Sequence, residues 1–228
     1  MELIYYGHSC FAVKINDKHL LFDPFISENE LANDIKISKI KADYIFISHA
    51  HHDHLADAVE IAQQNSSKIV SNPEICSWFK KQGISKHHPI NIGGDWNFDF
   101  GNVKCTTAQH SSSLPDGSYG GNPMGFLVTS EKYNFYYAGD TGLTLDMQLI
   151  PKFWCQNLDV ALLPIGNNYT MGFEDAIIAA EFIQCDTIIG LHFDTFGYIR
   201  IDHQAAQDAF AEKGKRLILP KIGETIAF

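Results

Sequence analysis

Short apolar runs alternate with polar turns from the amino terminus onward. Leu3–Tyr6, Cys10–Ile15 and His19–Phe22 read as strands, broken at Gly7-His8 and at the Asn16-Asp17-Lys18 turn. That spacing predicts an antiparallel meander. The run Tyr44–Ile47 is short enough for a buried strand, and Asp57–Gln64 places Ala58, Ile61 and Ala62 at helical spacing. After a strand at Lys68–Val70, Asn72-Pro73-Glu74 supplies an N-cap with proline at the first helical position, and Gly83 closes that helix. Hairpin strands follow at Trp96–Phe100, Val103–Ala108, Met124–Thr129 and Asn134–Ala138. The last third alternates strands at Val160–Leu163, Thr187–Leu191 and Arg216–Leu219 with helices at Glu174–Gln184 and His203–Lys213. Hairpins mixed with β-α units predict an α/β fold of two packed sheets with helices on the outer faces. The serine- and glycine-rich stretch Ser111–Gly121 is expected to be a mobile loop that acts as a lid.

Composition narrows the class. A chain of 228 residues, 45% hydrophobic and 19% charged, is expected to be one soluble globular domain spanning 1–228. Its formal net charge of −10 and its two arginines, Arg200 and Arg216, argue against nucleic acid as a partner, because phosphate backbones are bound by basic stripes. The five cysteines are scattered and never form a Cys-x-x-Cys pair, which suits reduced thiols in a reducing compartment. Neither a signal-like amino-terminal segment nor a membrane span is recognisable, so a cytoplasmic location without membrane association is expected. A homo-oligomer stays open.

The chemistry is concentrated in His49-Ala50-His51-His52-Asp53-His54, directly after the Tyr44–Ile47 run. Extended backbone sends residues two apart to the same side, so His49 and His51 are expected to grip one ion while the turning chain aims Asp53 and His54 at a second. His52 would point away. Four ionisable groups at one strand end would repel when charged and lose solvation when buried unpaired, which makes a metal site the better explanation. Two catalytic ions need more ligands than one segment supplies. His110, Asp140 and His192 each stand where a predicted strand opens into a loop. The expected division is His49, His51 and His110 on one ion, Asp53, His54 and His192 on the other, with the Asp140 carboxylate bridging. Mixed nitrogen and oxygen donors suit zinc, and also manganese or iron. His19, His87, His88 and His203 are read as ordinary surface or core histidines.

Taken in order, the His-x-His-x-Asp-His run, His110, Asp140 and His192 resemble the metallo-β-lactamase superfamily over nearly the whole chain, with Asp23 in Leu21-Phe22-Asp23-Pro24 matching its early aspartate. The resemblance implies an αββα four-layer sandwich with a dinuclear site at one edge. Gly7-His8-Ser9-Cys10-Phe11, Leu163-Pro164-Ile165-Gly166 and Tyr169-Thr170-Met171-Gly172 are similar to a narrower branch of small bacterial metal-dependent hydrolases, related to the L-ascorbate-6-phosphate lactonases.

Ligating histidines generally donate their second ring N–H to a carboxylate or carbonyl, and Asp23 and Asp194 are the candidates for that task. His8, in the break between two strands, is expected to act as a proton donor or substrate binder, and Asp53 or a bound water to relay the proton. Asn167, Tyr169, Thr170 and Arg200 are expected to contact substrate, Arg200 by pairing with a phosphate or carboxylate. The function that follows is hydrolysis of an ester, lactone or phosphodiester in a small anionic molecule by a hydroxide held between two metal ions. Three rivals are weaker. A nuclease would want a basic surface, a redox di-iron protein of this resemblance would carry glutamate where His51 stands, and a non-catalytic relative would have lost ligands.

Overall fold

In the computed structural model, which describes residues 1–228, the strands form two seven-stranded sheets. The first opens with the meander β1 (Glu2–Gly7), β2 (Cys10–Ile15) and β3 (Lys18–Phe22), and continues in parallel through β4 (Tyr44–Phe46), β5 (Lys68–Ser71) and β6 (His87–Pro89). The second repeats this plan. β7 (Asp95–Phe98), β8 (Gly101–Thr107), β9 (Met124–Thr129) and β10 (Asn134–Tyr137) are antiparallel, and β11 (Val160–Pro164), β12 (Thr187–Leu191) and β13 (Arg216–Ile218) extend the sheet in parallel. β14 (Thr225–Ala227) returns to pair with β1. Parallel neighbours need crossovers. Four of them carry α-helices: α1 (His52–Leu55) with α2 (Ala58–Asn65), then α3 (Pro73–Lys81), α4 (Phe173–Phe182) and α5 (His203–Glu212), while the β3–β4 and β10–β11 links carry only short helical turns.

The pleat explains why the interior parallel strands β4 and β11 are apolar throughout. Successive side chains point to opposite faces, and here both faces are covered. Phe11, Phe22 and Phe46 meet Phe126, Phe135 and Tyr137 between the sheets, with the Phe46 and Phe126 rings 5.2 Å apart and the Phe22 and Phe135 rings 5.8 Å apart. Their neighbours one residue away turn outward. Leu21, Ile45 and Ile69 pack under Ile61, Ile75 and Phe79 of α2 and α3. Tyr136, Ala161 and Ile188 pack under Ala176, Ala180 and Phe210 of α4 and α5. The result is helix, sheet, sheet, helix, as the sequence resemblance implies.

Departures from the sequence reading have local causes. β6 and β14 are three residues each, too short to show a pattern, yet both are edge strands secured by backbone pairing, as in the Val70–His88 and Leu3–Ile226 registers. The expected lid is instead pinned. Asn72 Nδ2 donates to the Gly120 carbonyl (2.8 Å), Ala50 N–H donates to Ser112 Oγ (3.1 Å), and Leu114 is buried. All five cysteines are free and buried, and burial pushes the Cys76 and Cys105 thiols up to about 12, which keeps them unreactive. No helix is long and apolar enough to cross a membrane.

Candidate metal centre

The candidate ligands all leave the sheets at one edge. His8 sits between β1 and β2, Asp23 follows β3, the histidine cluster follows β4, and His110, Asp140 and His192 follow β8, β10 and β12. Carboxyl ends of parallel strands share an edge, so residues far apart along the chain converge there. The backbone turns sharply to aim them inward: His8, Asp23 and His192 adopt left-handed conformations with φ of 55°, 42° and 55°. Such conformations are uncommon for side chains of this kind and concentrate at functional sites. The His192 N–H donates to the His8 carbonyl (3.0 Å), which ties the two sheets together beside the site. Gly166 makes the other close approach, since a Cβ there would overlap the His192 carbonyl oxygen.

Asp140 Oδ2 occupies the middle. It lies 2.9 Å from His192 Nε2, 3.3 Å from His54 Nε2, 3.7 Å from His110 Nε2 and 3.9 Å from His49 Nε2. Around it stand two groups whose ligand atoms lie within 4.8 Å of one another: His49, His51 and His110 on one side, and Asp53, His54 and His192 with His8 on the other. This is the grouping expected from the sequence, with His8 added. His52 points away and pairs with Glu28 at 2.9 Å, as expected.

One buried carboxylate orients both groups. Asp23 is inaccessible to solvent and accepts from Ser48 N–H (2.8 Å), Ser48 Oγ (2.5 Å), His54 Nδ1 (2.8 Å) and the Tyr137 hydroxyl (2.5 Å). With its hydroxyl proton given to Asp23, Ser48 Oγ accepts from His49 Nδ1 (3.0 Å). Both histidines therefore turn Nδ1 to a fixed oxygen and direct Nε2 toward Asp140. Burial and the Asp23 carboxylate hold the Tyr137 hydroxyl well above its ordinary pKa, so it remains a donor. Asp194 does not share this task. Its carboxylate accepts from His203 Nε2 (2.6 Å) and Ile201 N–H (3.1 Å), fastening the start of α5, because its own left-handed backbone turns it away from His192.

His8 is buried against Asp53. A carboxylate only accepts, so His8 Nε2–H donates to Asp53 Oδ2 (3.0 Å), while Nδ1 lies 3.0 Å from Thr195 Oγ1. Burial, reinforced by His192, lowers His8 to about 4, so it is neutral near pH 7. Burial would raise Asp53, but His54 and His8 outweigh it and hold the carboxyl well below its usual range.

The donor set fits divalent cations. His54 Nε2 and Asp140 Oδ1 are buried and meet no partner in hydrogen-bonding geometry, and His49 Nε2 lies 2.9 Å from His51 Nδ1. Buried polar atoms are normally satisfied, so orphaned ones facing a common gap are what a metal would complete. Burial lowers His49, His51 and His110, leaving neutral imidazoles of the kind that ligate. Burial opposes charge on Asp140, yet His192 and His54 hold it well below the usual carboxylate range.

Beside this cluster opens a cleft of about 680 Å³. Of the four residues expected at substrate, only Tyr169 lines it. Asn167 and Arg200 belong to a neighbouring depression with Tyr198, because the left-handed Asn167-Asn168 turn carries that loop past the cleft. Thr170 Oγ1 turns back to the Met171 carbonyl (3.3 Å). Sequence reasoning missed Phe25, Glu28, Ser111 and Phe196, which line the cleft, and Thr195, which supports His8. Position relative to the matched motifs was the available signal: Phe25 follows Asp23 by two residues, and Thr195 and Phe196 follow His192 by three and four.

The family profile described as "Beta-lactamase superfamily domain" matches residues 2–192. A protein named metal-dependent hydrolase in Flavobacterium johnsoniae is 54% identical over 226 residues, covering 99% of each chain. One with the same name in Christiangramia forsetii is 54% identical over 227 residues, again covering 99% of each. Among solved structures, Igni18, a metallo hydrolase from Ignicoccus hospitalis, superposes with a TM-score of 0.89 at 33% identity, covering 100% of this chain and 97% of its own.

Proposed function

The chain belongs to the metallo-β-lactamase superfamily, and from that premise we propose that it is a metal-dependent hydrolase that uses two divalent cations, preferably zinc, to cleave an ester, lactone or phosphodiester bond in a small molecule. His49, His51 and His110 would hold one cation and Asp53, His54 and His192 the other, with Asp140 facing both. Bound there, such ions supply Lewis acidity and lower the pKa of water from 15.7 to about 7.

The chain's own groups supply the rest. Asp23 holds the His49 and His54 rings with their Nε2 atoms inward, so no reorientation is needed when substrate arrives. Asp53 Oδ2 lies at the mouth, 25% exposed at its side chain, where a carboxylate can take a proton from the attacking water. His8 fixes that carboxylate by donating from Nε2, and Thr195 fixes His8 in turn. Phe25 and Phe196 exclude water from one wall.

The observation that carries this reading is the single Asp140 oxygen within 4 Å of four imidazole nitrogens drawn from three separate segments. Metal content by plasma mass spectrometry, with a screen of ester, lactone and phosphodiester probes, tests it. The expected result is about two metal equivalents per chain and metal-dependent turnover. Asp140→Ala should lower both occupancy and turnover, and Asp140→Ala retaining both would refute the reading.

A further inference from the structure

Charge in the cleft is distributed in a way that bears on what the centre hydrolyses. The cleft wall contains no lysine and no arginine. Apart from the histidines and aspartates of the centre and the outward-facing His52, its only ionisable groups are Glu28 and Tyr169. Glu28 is exposed at the lip, paired with His52 at 2.9 Å. The one nearby guanidinium, Arg200, lines the separate depression behind Asn167.

Aromatic rings complete the wall. Phe25 and Phe196 have centroids 6.3 Å apart, each also packs against the His8 ring, at 5.7 and 5.3 Å, and Tyr169 stands exposed at the mouth. Phe196 keeps 38% of its surface open, and on a wall beside the candidate ligands that apolar area is available to a ligand.

We infer that the substrate is an uncharged carboxylic ester or lactone carrying an aromatic or branched apolar group, and not a phosphorylated or carboxylated molecule. This inference rests on the hydrolase reading above. With the cations engaged at the reacting bond, a second anionic group entering the cleft meets no fork or ammonium to offset its lost hydration, and it faces Glu28. An apolar group instead covers Phe25 and Phe196. In the reaction, the oxygen of water bonds to the acyl carbon and the acyl C–O bond breaks. One proton of the water goes to the departing alkoxide and the other leaves with ionisation of the acid product, so the products are an alcohol and a carboxylate.

Two acetates and two amides, each pair differing by one carboxylate, provide the test alongside a phosphodiester, using the zinc-loaded full chain. Phenyl acetate, 4-acetoxybenzoate and bis(4-nitrophenyl) phosphate report turnover, each normalised to its rate with hydroxide in buffer. The unreactive amides acetanilide and 4-acetamidobenzoate report binding by calorimetry. The expected result is a kcat/KM for phenyl acetate at least about tenfold above either anionic probe, with acetanilide bound more tightly than its carboxylated partner. Phe196→Ala should raise KM for phenyl acetate about tenfold or more, and Glu28→Lys should narrow the gap between the two acetates. Equal or better turnover of an anionic probe, or tighter binding of 4-acetamidobenzoate, overturns the inference while leaving the hydrolase reading in place. Selective binding of acetanilide with no turnover of any probe overturns the hydrolase reading, and with it the substrate assignment.

Discussion

Tyr137→Phe is the sharpest probe of how the centre is held. The substitution leaves the ring in place between the sheets, so no cavity opens, and removes only the hydroxyl that donates to Asp23 at 2.5 Å. A hydrogen bond to a charged, fully buried acceptor contributes about 1.5–3 kcal/mol, so stability should fall by about 2 kcal/mol. For a chain of this size that is a fall in Tm of about 4–8 °C. Asp23 also orients His54 directly and His49 through Ser48. Loosening it should weaken metal binding by about tenfold, the lower end of the effect for groups behind the ligands. Chemical denaturation and competitive zinc titration against a chelating dye measure the two effects. Tyr136→Phe is the control, because Tyr136 is equally buried but faces the outer layer toward α4 and α5. Unchanged zinc affinity in Tyr137→Phe, or an equal loss in Tyr136→Phe, would refute the proposal that Asp23 relays this hydroxyl to both histidines.

Other substitutions test the frame and the acid sensitivity. Gly166→Ala places a methyl group on the His192 carbonyl oxygen, so metal stoichiometry should drop even where circular dichroism shows a retained fold. Phe126→Ala removes a ring from the inter-sheet core and should lower stability by about 3–5 kcal/mol in urea unfolding. The metal-free protein should weaken on acidification. His8 titrates at about 4 in the folded chain against an ordinary 6.5, so the unfolded chain binds more protons between these values. Stability from keeping His8 neutral is present above pH 6.5 and falls by about 3 kcal/mol as the pH drops to about 4. His8→Gln removes that titration, and the stability gap between the two metal-free proteins should narrow over this window. A constant gap would place the acid sensitivity elsewhere.

What could be read without coordinates was whatever depends on local spacing or on chemistry dense enough to have one explanation. Short apolar runs broken at Gly7-His8 and Asn16-Asp17-Lys18 placed the meander of β1 to β3. The Asn72-Pro73 cap located α3, whose Ile75 N–H is accepted by Asn72 Oδ1 at 2.9 Å. Six residues crowded with histidine and aspartate pointed to metal whatever the surrounding fold. His110, Asp140 and His192 were singled out because each polar residue ends an apolar strand, and strands of one sheet deliver their ends to one edge.

Direction and charge in the cleft were decided by tertiary structure alone. Asp23 and Asp194 look alike in sequence, both carboxylates near a ligand. A left-handed turn brings one under His54 and Ser48 and swings the other to His203. Arg200 stands eight residues from His192, yet the loop between them carries it to another depression, and the expected anion partner is lost. Phe196 has no motif. Its place on the wall follows from packing against Phe25 and His8, whose contacts span most of the chain length. Sequence spacing records which groups can act together within a few residues, whereas the facing of two sheets determines which distant groups share one cleft.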